Sequence, residues 1–323
     1  KKNNFPPLTK EQEDQIREYY RGCPDFSTIY NRVCTARSGV FYPNYMPDDL
    51  YYGYIEPYYV DREAARYIDN KTFYYSIFAG EKMPELIVMR QGTLWLGPDS
   101  MPIDRKKVIR YIQDSEGELV LKIAENSERG QGVYVLREGT KVEDFKNAVR
   151  HIKSDIVVQK LIKQHPVTAE FHPWSVNSFR VATFLKQDGP VVTAKCFRIG
   201  GSKSRTDNIA TGGFFLGFDD DGITKDRGMI KNGGVIYEHP DLHTQFAGVK
   251  LPSVEKVFDM AKRLHLRVPK FRIVSWDIGV DDEGEAVLIE ANLSLGEISG
   301  VQACSGPIFG DLTRDICKEV FDL

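Results

Sequence analysis

Residues 271–293, FRIVSWDIGVDDEGEAVLIEANL, read as two β-strands around a turn. FRIVSWDIGV and EAVLIEANL are rich in β-branched and apolar residues, and the DDEGE stretch between them supplies turn chemistry. An antiparallel hairpin with an even-numbered loop centred on Glu283 and Gly284 pairs Asp277 directly with Glu290. Asn292 falls on the same face, because side chains alternate with period two. Two like charges opposite each other, with β-carbons about 5 Å apart, destabilise a sheet unless a cation or a shared proton compensates. Two carboxylates and an amide form an oxygen-only donor set, which suits magnesium completed by water and substrate phosphates. Asp277, Glu290 and Asn292 are therefore candidate metal ligands. The alternative is a solvent-facing hairpin whose charges meet no metal.

At 323 residues the chain can bury a substantial core in two or three subdomains. A formal charge of −3 with 28% charged residues gives no global basic excess of the kind that drives binding to nucleic acid or anionic lipid. Five cysteines, at 23, 34, 196, 304 and 317, form no CxxC pair, which speaks against a zinc ribbon and against a secreted disulfide framework. No run of about 18 apolar residues exists, and the KKNNFPPLTK start lacks the apolar core of an export signal. The expectation is a cytoplasmic protein with reduced thiols and no membrane insertion.

Three regions follow from patterning. Residues 1–80 form a helical and irregular N-terminal region: Thr9 and Gln12 make a capping box, and the tyrosine-rich stretch to Tyr67, with four prolines, reads as irregular structure packed on aromatics. Residues 81–155 form a small subdomain: strands around LIVMR and TLWLG, a helix within Ser100–Gln113, then the strand LVLKIA, a glycine loop, the strand VYVL, and a helix opened by a Thr140/Glu143 capping box. Residues 156–323 form a larger subdomain: β runs IVVQKLI, SVNSFRVATFL and PVVTAKCFRIG, a polar excursion over 201–234, a helix marked by Val254, Val257, Phe258, Ala261 and Leu264, the hairpin, and a closing helix with Leu312, Ile316 and Val320. Helices alternating with mostly antiparallel strands define an α+β class.

Lys122 sits in an otherwise apolar strand, and a buried lysine is costly unless an anion meets it. The loop Ser127–Gly132 that follows has two glycines, a serine and a glutamine, so its backbone amides can approach phosphate oxygens. The competing reading is an edge-strand lysine before an ordinary turn. Neither a P-loop nor a dinucleotide fingerprint is present. Arg198, with Asp207 and Asn208 in RIGGSKSRTDNIATGG, forms a donor-rich segment suited to a developing phosphoryl or carboxylate charge; a loop without ligand is its alternative. Arg180, mid-strand in VNSFRVATF, calls for a carboxylate partner or an anionic ligand. His239 and His243, around Pro240, read as surface residues rather than a zinc site.

Taken together these pieces resemble the ATP-grasp superfamily, in particular its sugar-transfer-associated branch. WDIGVDDEGEAVLIEANLSLGE resembles the superfamily's metal end, LVLKIAENSERGQGVYVL its strand lysine and flexible loop, and SGVFYPNYMPDDLYYGYIEPYYV a stretch characteristic of the branch. The resemblance implies an ATP-grasp fold, two α+β subdomains sandwiching the nucleotide, with an extra N-terminal region. It assigns ATP contacts to Lys71 in NKTFYYSIF, Lys122, Gly130, Gln131 and Gly132, adenine contacts to Gln159, Lys160 and Ile162 in IVVQKLI, and a ribose-side contact to His165. Gln159 departs from the acidic residue of many relatives. Magnesium falls to Asp277, Glu290 and Asn292, and the reacting phosphate and acyl group to Arg198, Asn208 and Arg180.

The implied activity is an ADP-forming ligase. A substrate carboxylate attacks the γ-phosphate of ATP, and an amine then displaces phosphate from the acyl phosphate. A sugar acid or nucleotide sugar and an amino acid are the candidate partners, during cell-surface polysaccharide assembly. A phosphotransferase acting on a sugar or small molecule, and a nucleotide-binding scaffold without turnover, are the competing readings.

Overall fold

Residues 5–125, 132–202, 204–231 and 233–323 are described by a computed structural model of the chain. Two antiparallel sheets dominate. The first has strands β1 (Leu86–Gln91), β2 (Leu94–Leu96), β3 (Leu119–Ile123), β4 (Val133–Leu136) and β5 (Ile156–Lys160), in the order β2-β1-β5-β3-β4. The second has β6 (Ser178–Lys186), β7 (Gly189–Ile199), β8 (Phe214–Phe218), β9 (Thr224–Ile230), β10 (Val235–Ile236), β11 (Ile273–Val280) and β12 (Ala286–Asn292), in the order β10-β9-β8-β7-β6-β11-β12. Together they give the α+β, two-sheet architecture expected of an ATP-grasp fold.

IVVQK, expected to open the larger unit, instead runs through the centre of the first sheet as β5, so the division between sheets falls after Lys160 and not at 155. Its alternate residues feed a core of its own: Ile156 and Val158 pack with Val88, Leu119 and Leu121 beneath the helices Arg105–Asp114 and Lys141–Val149. The second of these helices lacks the expected capping box. The Thr140 hydroxyl turns instead to Asp144, at 2.9 Å.

The tyrosine-rich N-terminal stretch is largely helical, contrary to the irregular structure expected. Ile29–Ser38, Glu56–Tyr59 and Arg62–Ile68 are α-helices, and Tyr51–Ile55 is one π-turn. Asp48–Leu50, Tyr51–Ile55 and Glu56–Tyr59 form one continuous right-handed run, and Pro57 sits inside it directly after the π-turn, which accommodates the missing donor. Asp61 caps the next helix by accepting from the Glu63 and Ala64 amides. Tyr20, Tyr51, Tyr59 and Tyr74 are buried in the main core, which the N-terminal region shares with the second sheet. The capping box at Thr9 and Gln12 is present.

Within 201–234 the polar excursion is interrupted by β8 and β9, a hairpin that extends the second sheet; every residue of FFLGF is buried. A helix over Ser299–Ser305 had no sequence signal that stood out. His239 is fully buried and its Nε2 meets the Gly200 carbonyl at 3.1 Å, so it is an internal residue and not a surface one. All five cysteines are free thiols. Among the described residues no helix is long and apolar enough to cross a membrane.

Trp276 of β11 ties these layers together. It is fully buried, donates from Nε1 to the Thr183 hydroxyl at 2.8 Å, and packs edge-on against Phe78 at 5.8 Å. Trp276→Ala is expected to destabilise the fold by about 3–5 kcal/mol, read as a lower urea midpoint with an unchanged denaturant slope.

Candidate functional site

The hairpin places Asp277 opposite Glu290, as the sequence implies, but by another route. Val280 pairs with Ala286, leaving the five-residue loop 281–285, and a bulge at Ile289 then shifts the register so that Asp277 meets Glu290. The loop is odd-numbered because Asp281 organises it: its Oδ1 accepts from the Glu283 and Glu285 amides at 3.2 and 2.9 Å. Glu290 and Asn292 sit on an edge strand whose backbone is pinned between them. The Tyr74 hydroxyl donates to the Ala291 carbonyl at 3.0 Å and accepts from its amide at 3.2 Å.

The cations that make two facing carboxylates tolerable come from the protein. Arg180 pairs laterally with Asp277 and donates from Nη2 to Oδ2 at 3.0 Å, and Arg198 on the next strand donates to the same carboxylate. Burial opposes ionisation of Asp277, but the two guanidiniums outweigh it and hold the carboxyl below its usual range. Lys71 Nζ lies 2.8 Å from Glu290 Oε1. Arg198 also reaches Asp207, at 3.3 Å, and Asp207 accepts from the Ser178 hydroxyl. A row of charge therefore crosses four adjacent strands, from Arg198 on β7 through Arg180 and Asp277 to Glu290 on β12.

This row lines a cavity of about 990 Å³ bounded by both sheets. Lys122, Gln159, Lys160 and Ile162 line it from the first sheet and its exit; Arg180, Arg198, Asn208, Asp277, Glu290 and Asn292 from the second; and Lys71 from the N-terminal region. His165 does not line it: it caps the helix Pro166–Phe171, with Nδ1 accepting from the Val167 amide at 3.2 Å. Gly130 and Gln131 lie outside the described residues. Gly132 precedes β4 at φ +79°, a left-handed conformation that favours glycine, and a Cβ there would also crowd the Ile123 side chain. Sequence reading missed Tyr52, Arg66, Asp69, Trp174, Arg205 and Lys231, which also line the cavity. They come from loops and helix ends with no local pattern to mark them.

Lys122 Nζ makes no ion pair or hydrogen bond among the described residues. Burial, aided by Lys71 nearby, pulls its pKa down to about 8. An anion arriving there is met by a lysine that gains a proton. Gln159 donates from Nε2 to the Tyr75 hydroxyl at 2.6 Å, while its buried Oε1 is unpartnered among the described residues. Lys160 pairs with Glu85 at 2.7 Å. Asp69 is raised to about 7, chiefly by burial, with Glu290 adding to the rise. Gly201 and Gly213 let the 204–213 segment fold tightly against itself: a Cβ on Gly201 would lie 1.9 Å from the Gly212 carbonyl oxygen.

Among the described residues no three histidine, cysteine, aspartate or glutamate side chains are gathered as a metal cage. The donors present nevertheless fit magnesium, which takes one or two carboxylates and completes its shell with water and substrate phosphates. Glu290 supplies one such carboxylate. The Asn292 amide nitrogen is buried without a partner among the described residues, and it is the Oδ1 of this side chain that a metal would take. Asp277 is committed to two arginines, and an ion at its oxygens competes with them.

Two facing sheets with a polar cavity between them, walled by a strand lysine and an Asp/Glu/Asn hairpin, define an ATP-grasp enzyme. The chain belongs to the sugar-transfer-associated ATP-grasp family, whose sequence model matches residues 52–318. No curated protein sequence matches it significantly. Among solved structures it is similar to a biotin carboxylase in a beta-gamma-ATP complex from Campylobacter jejuni, at 12% identity and TM-score 0.48 over 80% of this chain and 47% of that one. It is also similar to a D-alanine–D-alanine ligase from Bacillus anthracis, at 14% identity and TM-score 0.43 over 78% and 66%. A third is an L-amino acid ligase from Bacillus licheniformis, at 14% identity and TM-score 0.43 over 80% and 48%. The chain spans between about half and two thirds of the length of these three structures.

Asp277→Asn is expected to cost about 3–5 kcal/mol of stability, because it takes the carboxylate partner from the buried Arg180 and one of two from Arg198; chemical denaturation checks this. Nucleotide binding is expected to take up a proton at pH above about 8, since phosphate raises the lowered Lys122 pKa. Affinity for ADP then falls as pH rises beyond that value. Calorimetry in buffers of different ionisation enthalpy measures the uptake, and Lys122→Met should abolish it.

Proposed function

We propose that the chain is an ATP-dependent carboxylate–amine ligase that acts through an acyl phosphate during assembly or modification of a cell-surface polysaccharide. The observation that carries this reading is the convergence of Lys71, Lys122, Arg180 and Arg198 with Glu290 and Asn292 on one cavity. Phosphoryl transfer needs little covalent chemistry from a protein, chiefly positioning and neutralisation of charge. Cations on one cavity wall and an oxygen-donor hairpin on another supply both.

Lys122 and Lys71 bind the α- and β-phosphates, and Gln159 to Ile162 take the adenine. Glu290 and Asn292, with Asp277 beside them, would hold magnesium, which when bound neutralises the phosphates. Arg198 and Asn208 attend the γ-phosphate, and Arg180 holds the acyl substrate. The carboxylate oxygen attacks phosphorus as the bond to the bridging oxygen of ADP breaks. The amine then attacks the acyl carbon, inorganic phosphate departs, and the ammonium proton is lost to solvent. Residues that enclose the cavity keep water from the acyl phosphate.

The test is ADP release from Mg-ATP with uronic acids, nucleotide sugars and amino acids, with and without hydroxylamine. Hydroxamate should form with the carboxylate substrate alone, and Lys122→Met and Glu290→Gln should each lower turnover by roughly 10²–10³. ADP release that never yields hydroxamate would identify a phosphotransferase and overturn the ligase reading.

A further inference from the structure

One part of the cavity wall, built by residues 52–69 and the segment they hold, plays no part in the nucleotide contacts above. The segment Leu293–Glu297, directly after β12, is held by side chains from residues 52–69. Glu56, 1% exposed, accepts from the Leu295 amide and is itself gripped by Arg62, whose Nε lies 3.0 Å away. Arg62 also donates to the Tyr52 carbonyl at 2.8 Å, the Tyr52 hydroxyl donates to the Gly296 carbonyl at 2.9 Å, and Asp69 accepts from the Leu293 amide at 3.3 Å. Leu295 is fixed at φ +52° with 59% of its surface exposed, a left-handed non-glycine residue on the cavity wall. Strain of this kind persists only where its surroundings over-determine it, and it concentrates at ligand sites.

The charges bordering this wall indicate what it receives. Lys71, Lys160, Arg180 and Arg198 each have a carboxylate partner, and Lys122 belongs with the nucleotide phosphates. Arg66, in the last turn of the helix Arg62–Ile68, and Lys231, just after β9, also line the cavity; both are exposed, and neither has an ion pair or hydrogen bond among the described residues. Cations on the wall of a cleft focus potential into it far more than cations on a convex surface. A guanidinium fork and an ammonium on the same cavity are each suited to phosphate oxygens. The volume of about 990 Å³ reaches the top of the range of about 300–1,000 Å³ that one small ligand fills, so a second molecule has room beside ATP.

We propose that the acyl substrate is a sugar acid bearing a phosphate ester, with Arg66 and Lys231 as the residues that recognise the ester. The proposal rests on the ligase reading and names its substrate class. The Tyr52 and Leu293–Glu297 wall borders the sugar, while the phosphate is held away from the reacting carboxylate. Binding is then steered by charge and weakens with added salt.

The test uses the full chain saturated with Mg and AMP-PNP, titrated calorimetrically with galacturonic acid, galacturonic acid 1-phosphate and UDP-galacturonic acid. A phosphate-bearing form should bind about tenfold tighter or more than the free acid. The advantage should vanish in the Arg66→Gln, Lys231→Gln double variant. Preference for the 1-phosphate or for the UDP sugar separates a simple ester from a nucleoside diphosphate. Equal affinity for all three, no binding of any, or an undiminished preference in the double variant overturns the proposal. AMP-PNP binding, measured first, keeps the outcomes apart: its absence sinks the ATP-grasp assignment, whereas its presence with no phosphate preference sinks only the substrate class.

Discussion

A single buried carboxylate organises the centre of this molecule. Asp277 is 2% exposed and would be untenable alone, yet Arg180 on the adjacent strand and Arg198 on the strand beyond it make it the hub of a three-strand charge cluster. Burying such a cluster is weak evidence for stability, because desolvation offsets most of the Coulomb attraction. Its value lies in geometry. It holds two guanidiniums rigidly at the floor of the cavity and orients the face from which Glu290 and Asn292 project. Under the proposed function Asp277 would also couple two roles, since an ion drawing on its oxygens would loosen the arginines assigned to the substrate.

The second constraint is the placement of the edge strand. β12 carries Glu290 and Asn292 and has the second sheet on only one side, so its outer edge needs partners. The N-terminal region supplies them: the Tyr74 hydroxyl satisfies both backbone groups of Ala291, the Lys82 carbonyl takes the Leu288 amide at 2.9 Å, and Asp69 takes that of Leu293. Asn70, between Asp69 and Lys71, bonds Glu125 and Asp155 of the first sheet's loops at 2.7 and 2.9 Å. Residues 69–71 therefore join both sheets, and the Lys71–Glu290 pair spans the same junction.

The hairpin was legible because period-two alternation and a polar turn survive in any reading of residues 271–293, and the lysine of β3 because it breaks an apolar run. The bulge at Ile289 was not legible, since it follows from how Asp281 folds the turn. The helices of the tyrosine-rich stretch were hidden because its four prolines read as breaks, whereas Pro57 is accommodated inside a helical run by the π-turn before it. β5 was assigned to the wrong sheet because an apolar run carries no record of which strands flank it. Arg66 and Lys231 look like ordinary surface cations in sequence; only the fold turns them toward a shared cavity. Where recognition outran geometry, at His165, the histidine proved to be a helix cap.

The central claim is that this cavity holds a nucleoside triphosphate between the two sheets. The most direct measurement is a crystal structure of the chain with AMP-PNP and magnesium. The account predicts phosphates against Lys71 and Lys122, adenine against Gln159–Ile162, and the ion on Glu290 and Asn292. Nucleotide bound elsewhere on the molecule, or an ion that ignores both of those side chains, would contradict it.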